Sequence, residues 1–268
     1  MVLTTTSERA GRWGFLDRFA WSATASLALA TDHDAHALVD GPRGLARERV
    51  GLWPDGTPGT TPDAAHPDTE VLERAGERTL AGHRAKRPRP AVFVDRDGTL
   101  IREEGYLSDP RKVEVLPGVA RGLRALLDAG IPVVVATNQS GIGRGYYTAE
   151  SVYEVMAVMR RMLRAEGVEL TAIYLCPHAP GAGCPCRKPR PGLLERAAED
   201  LVLDLPGSVM IGDKLSDVAT GHHAGSRGVL VRTGYGAAEE SAAHGAARAP
   251  DAVVDDVGVA AEWVLERS

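Results

Sequence analysis

Short apolar runs alternate with longer amphipathic stretches from residue 90 to the end of the chain, and this alternation limits the fold more than any other feature. Short runs separated by helices are typical of a parallel sheet that is covered on both faces. The predicted strands are 91–95, 131–138, 172–176, 208–213, 228–232 and 252–256. The predicted helices are 118–129, 149–166, 191–201, 215–224 and 257–266. The sequence therefore predicts an α/β fold with a doubly wound, Rossmann-like parallel sheet.

Residues 1–88 lack this alternation and include the stretch WPDGTPGTTPDAAHPD at 53–68. A segment so rich in Pro, Gly, Thr and Asp buries too little apolar surface to offset its ordering entropy. We therefore expect residues 1–88 to be a low-complexity, disordered extension, with a partner-binding arm as the alternative. Residues 89–268 form the predicted domain.

The overall charge and the apolar content exclude several classes of protein. The chain carries 31 Lys and Arg against 36 Asp and Glu, a formal charge of -5, which argues against nonspecific nucleic-acid binding. No apolar run reaches the length of a membrane span, and residues 19–30 are only modestly apolar for a signal peptide. Three clustered cysteines suit a reducing compartment. We expect a cytoplasmic monomer that does not bind a membrane.

Two carboxylates stand at the end of the first predicted strand, in the motif DRDGT. Asp95 and Asp97 are two residues apart, so an extended chain projects them to the same side. Two such anions are costly unless a cation neutralises them or one carries a proton. The pair suits Mg²⁺ binding and proton transfer. Considered by itself, however, the motif is also explained by an Asp-Gly turn after a strand.

Polar residues also follow the second and fourth strands. The second strand ends in Thr137, Asn138, Gln139 and Ser140, which can hydrogen-bond an oxyanion. The fourth ends in Asp213 and Lys214, with Asp217 one helical turn later. Loop polarity and helix capping explain each feature separately. In parallel sheets, however, ligands bind beyond the carboxyl ends of the strands. The polar residues at these strand ends, taken together, therefore predict one site.

All three cysteines of the chain lie in the segment CPHAPGAGCPC, with a histidine between them. Cys176, His178, Cys184 and Cys186 offer three thiolates and one imidazole, a complete tetrahedral set for structural Zn²⁺. The alternatives are free thiols and a redox disulfide between Cys184 and Cys186. Since Arg187 and Lys188 follow directly, a zinc ion in this loop would also fix two cations.

The motifs DRDGT, TNQSG, RKPRPG and GDKLSD, in this order, resemble the haloacid dehalogenase superfamily of phosphohydrolases over residues 91–268. Within it, EEGY (103–106), TNQSGIGRG (137–145), CRKP (186–189) and LVRTGYG (230–236) are most similar to the heptose bisphosphate phosphatases. The related histidinol phosphatases share the cysteine loop, but typically have an acidic residue in place of Ser140 and lack the RTGYG ending. No insertion long enough for a large cap domain follows Asp97 or Thr137.

The resemblance implies a reaction and a role for each catalytic residue. Asp95 is the expected nucleophile, which forms an aspartyl-phosphate, and Asp97 is the expected general acid and base. Thr137 and Lys188 would stabilise the phosphoryl oxygens. The expected Mg²⁺ ligands are Asp95, Asp213 and the backbone carbonyl of Asp97.

The resemblance also implies a substrate, the C7 phosphate of a heptose 1,7-bisphosphate, with histidinol phosphate or another small sugar phosphate as the alternative. The expected substrate-binding residues are Glu103, Glu104, Gly105, Tyr106, Asn138, Gln139, Ser140, Arg187 and Lys214. Glu103 and Glu104 replace the Asp-His pair that is frequent in the family, which puts the contacts of that pair in doubt. A phosphotransferase and an inactive, zinc-stabilised interaction module are the competing interpretations.

Overall fold

The computed structural model describes residues 26–27, 36–39, 87–243 and 249–268 of the 268-residue chain. Its strands form one eight-stranded sheet in the order β1-β2-β5-β4-β3-β6-β7-β8. The strands are β1 (Ser26–Leu27), β2 (His36–Val39), β3 (Val92–Val94), β4 (Val133–Asn138), β5 (Ala172–Cys176), β6 (Val209–Gly212), β7 (Arg227–Val231) and β8 (Ala252–Val254). Strands β3 to β8 pair in parallel, which confirms the six predicted strands.

The helices cover both faces of the sheet. They are α1 (Val119–Asp128), α2 (Ser140–Gly143), α3 (Ala149–Ala165), α4 (Gly192–Leu201), α5 (Leu215–His223), α6 (Gly236–Ala243) and α7 (Val257–Leu265), with a 3-10 turn at Pro110–Lys112. The five predicted helices are confirmed as α1, α3, α4, α5 and α7. Helices α2 and α6 were not predicted. The sequence GAAEESAA of α6 has no clear apolar stripe, so periodicity does not reveal it.

Alternate residues of each central strand point into two separate apolar cores. Val92 and Val94 face a core that includes residues of α1, α3 and α7. Phe93 faces a second core with residues of α4. Because both faces are buried, the central strands are continuously apolar rather than alternating.

The topology explains where a ligand can bind. The chain runs from β3 outward to β4 and β5, and then returns to β6 on the other side of β3. The connections therefore diverge at the carboxyl ends of β3 and β6, the place where doubly wound sheets hold their ligands. Residues 95–118, which leave β3, contain only the 3-10 turn and no inserted cap domain.

The described part of the N-terminal region adds an antiparallel edge to the sheet. Strand β2 pairs with β5, and β1 pairs with β2. The predicted disordered extension over residues 1–88 otherwise lies outside the described residues and stays a prediction. Among the helices that the structure describes, none is long and apolar enough to cross a bilayer.

Candidate active site and metal sites

Asp95 and Lys188 form a buried ion pair at the carboxyl end of β3. Lys188 Nζ lies 2.8 Å from Asp95 Oδ1 and 2.6 Å from Asp217 Oδ1, and it donates to the carbonyl of Ala136 at 2.8 Å. Burial alone would lower the pKa of Lys188, but Asp217 and Asp95 outweigh burial and raise it. Lys188 therefore stays charged beside the predicted nucleophile.

Asp213, at the end of β6, lies against two glycines. A Cβ atom on Gly98 would lie 2.1 Å from Asp213 Oδ2, and one on Gly234 would lie 2.2 Å from the same oxygen. Both glycines have positive φ angles, so a side chain is excluded by conformation as well as by space. The amide of Tyr235 donates to Asp213 Oδ2 at 2.9 Å. Burial, and then the negative charge of Asp95, raise the pKa of Asp213 to about 7.

Asp217, which the sequence placed at the predicted site without a catalytic, metal-binding or substrate-binding role, belongs to the carboxylate cluster. It lies in the first turn of α5, where its Oδ2 accepts a hydrogen bond from the amide of Lys214 at 3.1 Å. Its other oxygen contacts Lys188. Burial raises the pKa of Asp217 to about 6, against the effect of Lys188. Asp217 thus caps a helix and holds Lys188 at the same time.

Asp97 is held by its neighbour Arg96 and by Gln139. Arg96, whose side chain is buried, donates from Nε and Nη2 to Asp97 Oδ1 at 3.0 and 2.7 Å, and from Nη2 to Oδ2 at 2.7 Å. Gln139 Nε2 donates to Asp97 Oδ2 at 2.9 Å and to Thr137 Oγ1 at 3.0 Å. The structure thereby links two predicted catalytic residues, Asp97 and Thr137, through one amide.

Asn138 contacts the backbone of Lys188. Its Oδ1 accepts from the Lys188 amide at 3.1 Å, and its Nδ2 donates to the Lys188 carbonyl at 3.3 Å. Ser140 begins α2 and is half-buried. The end of β4 is therefore joined directly to the segment that carries the lysine.

The loop EEGY lies at the rim of the site and meets Lys214. Lys214 Nζ is 3.5 Å from Glu103 Oε2 and 4.5 Å from the ring centroid of Tyr235. Glu103 Oε1 accepts from the amide of Gly105 at 2.7 Å, while Glu104 and Gly105 are exposed. Tyr106 is 48% exposed and contacts the ring of Tyr146 edge-on. The predicted substrate loop therefore lies beside Lys214, the residue that follows Asp213, with its aromatic residue facing solvent.

The four predicted zinc ligands lie together after β5. His178 Nδ1 is 3.4 Å from Cys176 Sγ and 3.2 Å from Cys186 Sγ, and Cys176 Sγ is 3.7 Å from Cys184 Sγ. All three cysteines are free thiols, so the structure does not contain the alternative disulfide. The hydrogen bond with Cys176, and then burial, raise the pKa of Cys186. Without a cation Cys186 therefore favours the protonated form, whereas the set of three cysteines and one histidine is one that could hold Zn²⁺.

The cysteine loop packs against α2, which follows β4, and contacts the side chain of Arg187. Gly143 of α2 donates from its amide to the carbonyl of Pro177 at 2.9 Å, and a Cβ there would lie 2.6 Å from the amide nitrogen of Ala179. Arg187 Nη1 donates to the carbonyl of His178 at 3.3 Å. Arg187 is half-buried next to Lys188, which is buried.

The carboxylates fit a hard divalent cation. Oxygens of Asp95, Asp213 and Asp217 lie within 4.8 Å of one another. Asp213 Oδ1 is buried and accepts no hydrogen bond from the described residues. A buried carboxylate oxygen without a donor is costly, and Mg²⁺ takes such oxygens as ligands.

Comparison with known proteins agrees with this geometry. A family model described as HAD-hydrolase-like matches residues 185–260. The D-glycero-D-manno-heptose-1,7-bisphosphate 7-phosphatase of Thermosynechococcus vestitus is 40% identical over 188 residues, which cover 66% of this chain and 96% of that protein. The D-glycero-beta-D-manno-heptose-1,7-bisphosphate 7-phosphatase of Yersinia pestis is 37% identical over 185 residues, 66% of this chain and 89% of the relative.

A solved structure of the D,D-heptose 1,7-bisphosphate phosphatase from B. bronchiseptica, complexed with magnesium and phosphate, superposes with a TM-score of 0.62. It is 32% identical, and the match covers 67% of this chain and 99% of that one. The three matches each include about two thirds of this chain and most of the relative's own length. The chain therefore belongs to the heptose bisphosphate phosphatases of the haloacid dehalogenase-like hydrolases.

Proposed function

We propose that this protein is a magnesium-dependent phosphatase that removes the C7 phosphate of D-glycero-D-manno-heptose 1,7-bisphosphate and releases the 1-phosphate. The observation that carries the proposal is the buried pair of Asp95 and Lys188 beside Asp213, in a chain 40% identical to a relative named for this reaction. We further propose that it acts as a monomer in the cytoplasm, a reducing compartment that suits three cysteines without a disulfide.

Asp95 is the proposed nucleophile. Its carboxylate attacks the phosphorus atom, forming the O–P bond of an aspartyl-phosphate while the bond to the sugar oxygen breaks. Lys188 lies 2.8 Å from Asp95, so its positive charge is close to the phosphoryl oxygens as the bond forms. Asp95, Asp213 and the carbonyl of Asp97 are the groups that would hold Mg²⁺, which when bound neutralises charge on the phosphate.

Asp97 is the proposed acid and base. It gives a proton to the leaving sugar oxygen, and then takes a proton from the water that hydrolyses the aspartyl-phosphate. Thr137 is the proposed hydrogen-bond donor to a phosphoryl oxygen. This role is supported by its contact with Gln139, because the Thr137 oxygen accepts there and its own proton remains available.

The cysteine loop has a structural role in this proposal. Cys176, His178, Cys184 and Cys186 would hold Zn²⁺ with no open position for water, so the ion would stabilise the loop rather than take part in the reaction. Lys188 follows the last of these residues by two positions. The loop therefore positions Lys188 from one side, while Asn138 holds its backbone from the other.

Arg187 is the proposed contact for the second phosphate. A guanidinium can bind a phosphate through two parallel hydrogen bonds, and Arg187 lies directly beside the catalytic lysine. A bisphosphate can present one phosphate to Asp95 and the other to Arg187. Histidinol phosphate, the alternative substrate, has no second phosphate to occupy this cation.

The test measures phosphate release from heptose 1,7-bisphosphate, histidinol phosphate, p-nitrophenyl phosphate and a 3′-phosphorylated oligonucleotide. We expect the highest kcat/KM for the bisphosphate, and phosphorus NMR should show that only the C7 phosphate is lost. Asp95→Asn serves as the matched control, because it keeps the size of the side chain but removes the nucleophilic oxygen. Preference for histidinol phosphate would contradict the substrate, and activity in Asp95→Asn would contradict the mechanism. Release that depends on an added acceptor would indicate a phosphotransferase.

A further inference from the structure

Gln139 occupies an unusual position for a residue at a substrate site. It is the only glutamine in the chain, it lies one residue beyond the end of β4, and it is 1% exposed. Its amide makes four side-chain hydrogen bonds within the protein. The partners are Asp97, Thr137, Arg96 and Tyr147.

The chemistry of these partners fixes the orientation of the amide. Arg96 can only donate, so the group that it contacts at 3.1 Å must be the oxygen, Oε1. Tyr147 donates its hydroxyl to the same oxygen at 3.1 Å. The nitrogen, Nε2, must then face Asp97 Oδ2 at 2.9 Å and Thr137 Oγ1 at 3.0 Å. Gln139 is therefore held on one side and presents its two protons on the other.

Arg96 holds the same carboxylate from another direction. Its side chain is only 1% exposed, and it forms the ion pair with Asp97 at 2.7 Å. It is itself held by Gln139 and by a contact of 3.9 Å with Met156 Sδ on α3. Asp97 keeps 17% of its side-chain surface exposed, so it is fixed by buried groups yet open towards the site.

We propose that Gln139 is a positioning residue that orients the carboxyl group of Asp97 for proton transfer, with Arg96 and Tyr147 fixing its amide. The proposal rests on the roles of Asp97 in the proposed function. It differs from the expectation that Gln139 contacts the substrate, because both polar atoms of its side chain already have protein partners. Loss of Gln139 should therefore change the chemical step and not the affinity for substrate.

The dependence on the leaving group distinguishes this role from a structural one. An alkoxide leaves only when it receives a proton, whereas p-nitrophenolate leaves readily without one. Gln139→Leu should slow single-turnover cleavage of an alkyl phosphate by roughly 10- to 100-fold, within the range that acid catalysis contributes. In the same single-turnover measurement it should change cleavage of p-nitrophenyl phosphate by less than about threefold, with the half-saturating substrate concentration nearly unchanged for both. Equal losses of single-turnover rate on the two substrates, or an effect confined to the half-saturating concentration, would overturn the proposal.

Two further variants protect the test against misfolding and against indirect effects. Gln139→Glu keeps the oxygen that accepts from Arg96 and Tyr147, but it replaces the donor to Asp97, so it should show the same selective loss. In an Asp97→Asn background, Gln139→Leu should cost nothing more, because a residue that acts through Asp97 has no effect once Asp97 is disabled. A further full loss in that background would show that Gln139 acts elsewhere.

A readout that does not depend on activity separates this proposal from the proposed function. Glutamine labelled with nitrogen-15 at the side chain gives a single NH₂ signal, because the chain has one glutamine. We expect Asp97→Asn to shift this signal, and Arg121→Ala, on the exposed surface of α1, to leave it unchanged. An unshifted signal would overturn the contact even if the enzyme acts on a different phosphate. If Asp97→Asn shifts the signal but the wild-type protein shows no phosphatase activity, the contact stands and the proposed function is refuted.

Discussion

The ammonium group of Lys188 lies 2.8 Å from Asp95 Oδ1, in a place where neither side chain is more than 7% exposed. Removing one partner from such a pair leaves a charge buried without compensation. Here the same lysine also neutralises Asp217, so two carboxylates depend on it.

Lys188→Met should therefore lower the free energy of unfolding by about 3 kcal/mol and lower kcat at least about 100-fold. Urea unfolding and steady-state kinetics measure the two effects. The double variant Lys188→Met/Asp217→Asn removes one of the unpaired carboxylates, so it should recover part of the stability and none of the activity. A single variant as stable as the wild type would contradict the buried ion pair.

Stability without Mg²⁺ should fall as the pH rises from about 4 to 7. Burial and Asp95 raise the pKa of Asp213 from 3.8 to about 7 in the folded protein, so between these values the folded state binds a proton that the unfolded state does not. Because the folded state must release this proton as the pH rises, the free energy of unfolding falls, by up to about 4 kcal/mol for the Asp213 carboxyl group. Thermal unfolding in Mg²⁺-free buffer measures the change, with Asp213→Asn as the matched control. An equal pH dependence in wild type and Asp213→Asn would contradict the assignment.

Purified protein should contain one zinc ion per chain, and Cys184→Ser should lower that content. Activity should fall as well, because the loop that carries Lys188 loses its anchor. Metal analysis and phosphate release measure the two effects. Ala182→Ser is the matched control, since it adds a hydroxyl group at an exposed position of the same loop and leaves the four side chains in place. Full activity in a zinc-free Cys184→Ser protein would contradict the structural role.

Arg187→Ala should lower kcat/KM for the bisphosphate by roughly 10- to 100-fold, the effect of losing a hydrogen bond to a charged group. The same change should have little effect on p-nitrophenyl phosphate, which has no second phosphate. Arg187→Lys keeps the charge but not the two parallel donors, so it should restore only part of the loss. Equal losses on both substrates would assign Arg187 to the reacting phosphate.

A chain that begins at residue 87 should keep kcat and KM within about twofold of the full-length values, because all of the site residues lie after that position. Strand β2, which pairs with β5, is removed in this variant, so the matched control is His36→Pro in the full chain. Phosphate release and thermal unfolding measure the outcome. A large loss of activity in the soluble truncated protein would show that the extension contributes to the site.

The sequence predicted the elements that depend on local pattern. The runs that became β3 to β8 are mainly apolar, and the polar residues at or just after their ends, Asp95, Thr137 and Asp213, meet at one edge because parallel strands share a direction. The zinc set was predictable because its four residues lie within eleven positions, so local spacing alone brings them together.

Contacts between distant segments were not predictable in this way. Arg96 stands between two aspartates and is typical of a solvent-exposed loop, yet it is buried, because Asp97, Gln139 and Met156 surround it only after folding. The hydrogen bonds between Asn138 and the backbone of Lys188 join residues 50 positions apart. Their partners depend on the final packing, which periodicity does not encode.

The two glycines against Asp213 have a consequence for the evolution of this enzyme. Any side chain at Gly98 or Gly234 would overlap the Asp213 carboxylate, so we expect substitutions at these positions to displace Asp213 and to be selected against. Tyr106, at the rim, is 48% exposed and has Tyr146 as a neighbour. A different side chain there meets mainly solvent, so we expect changes at the rim to alter the range of accepted phosphates without disturbing Asp213.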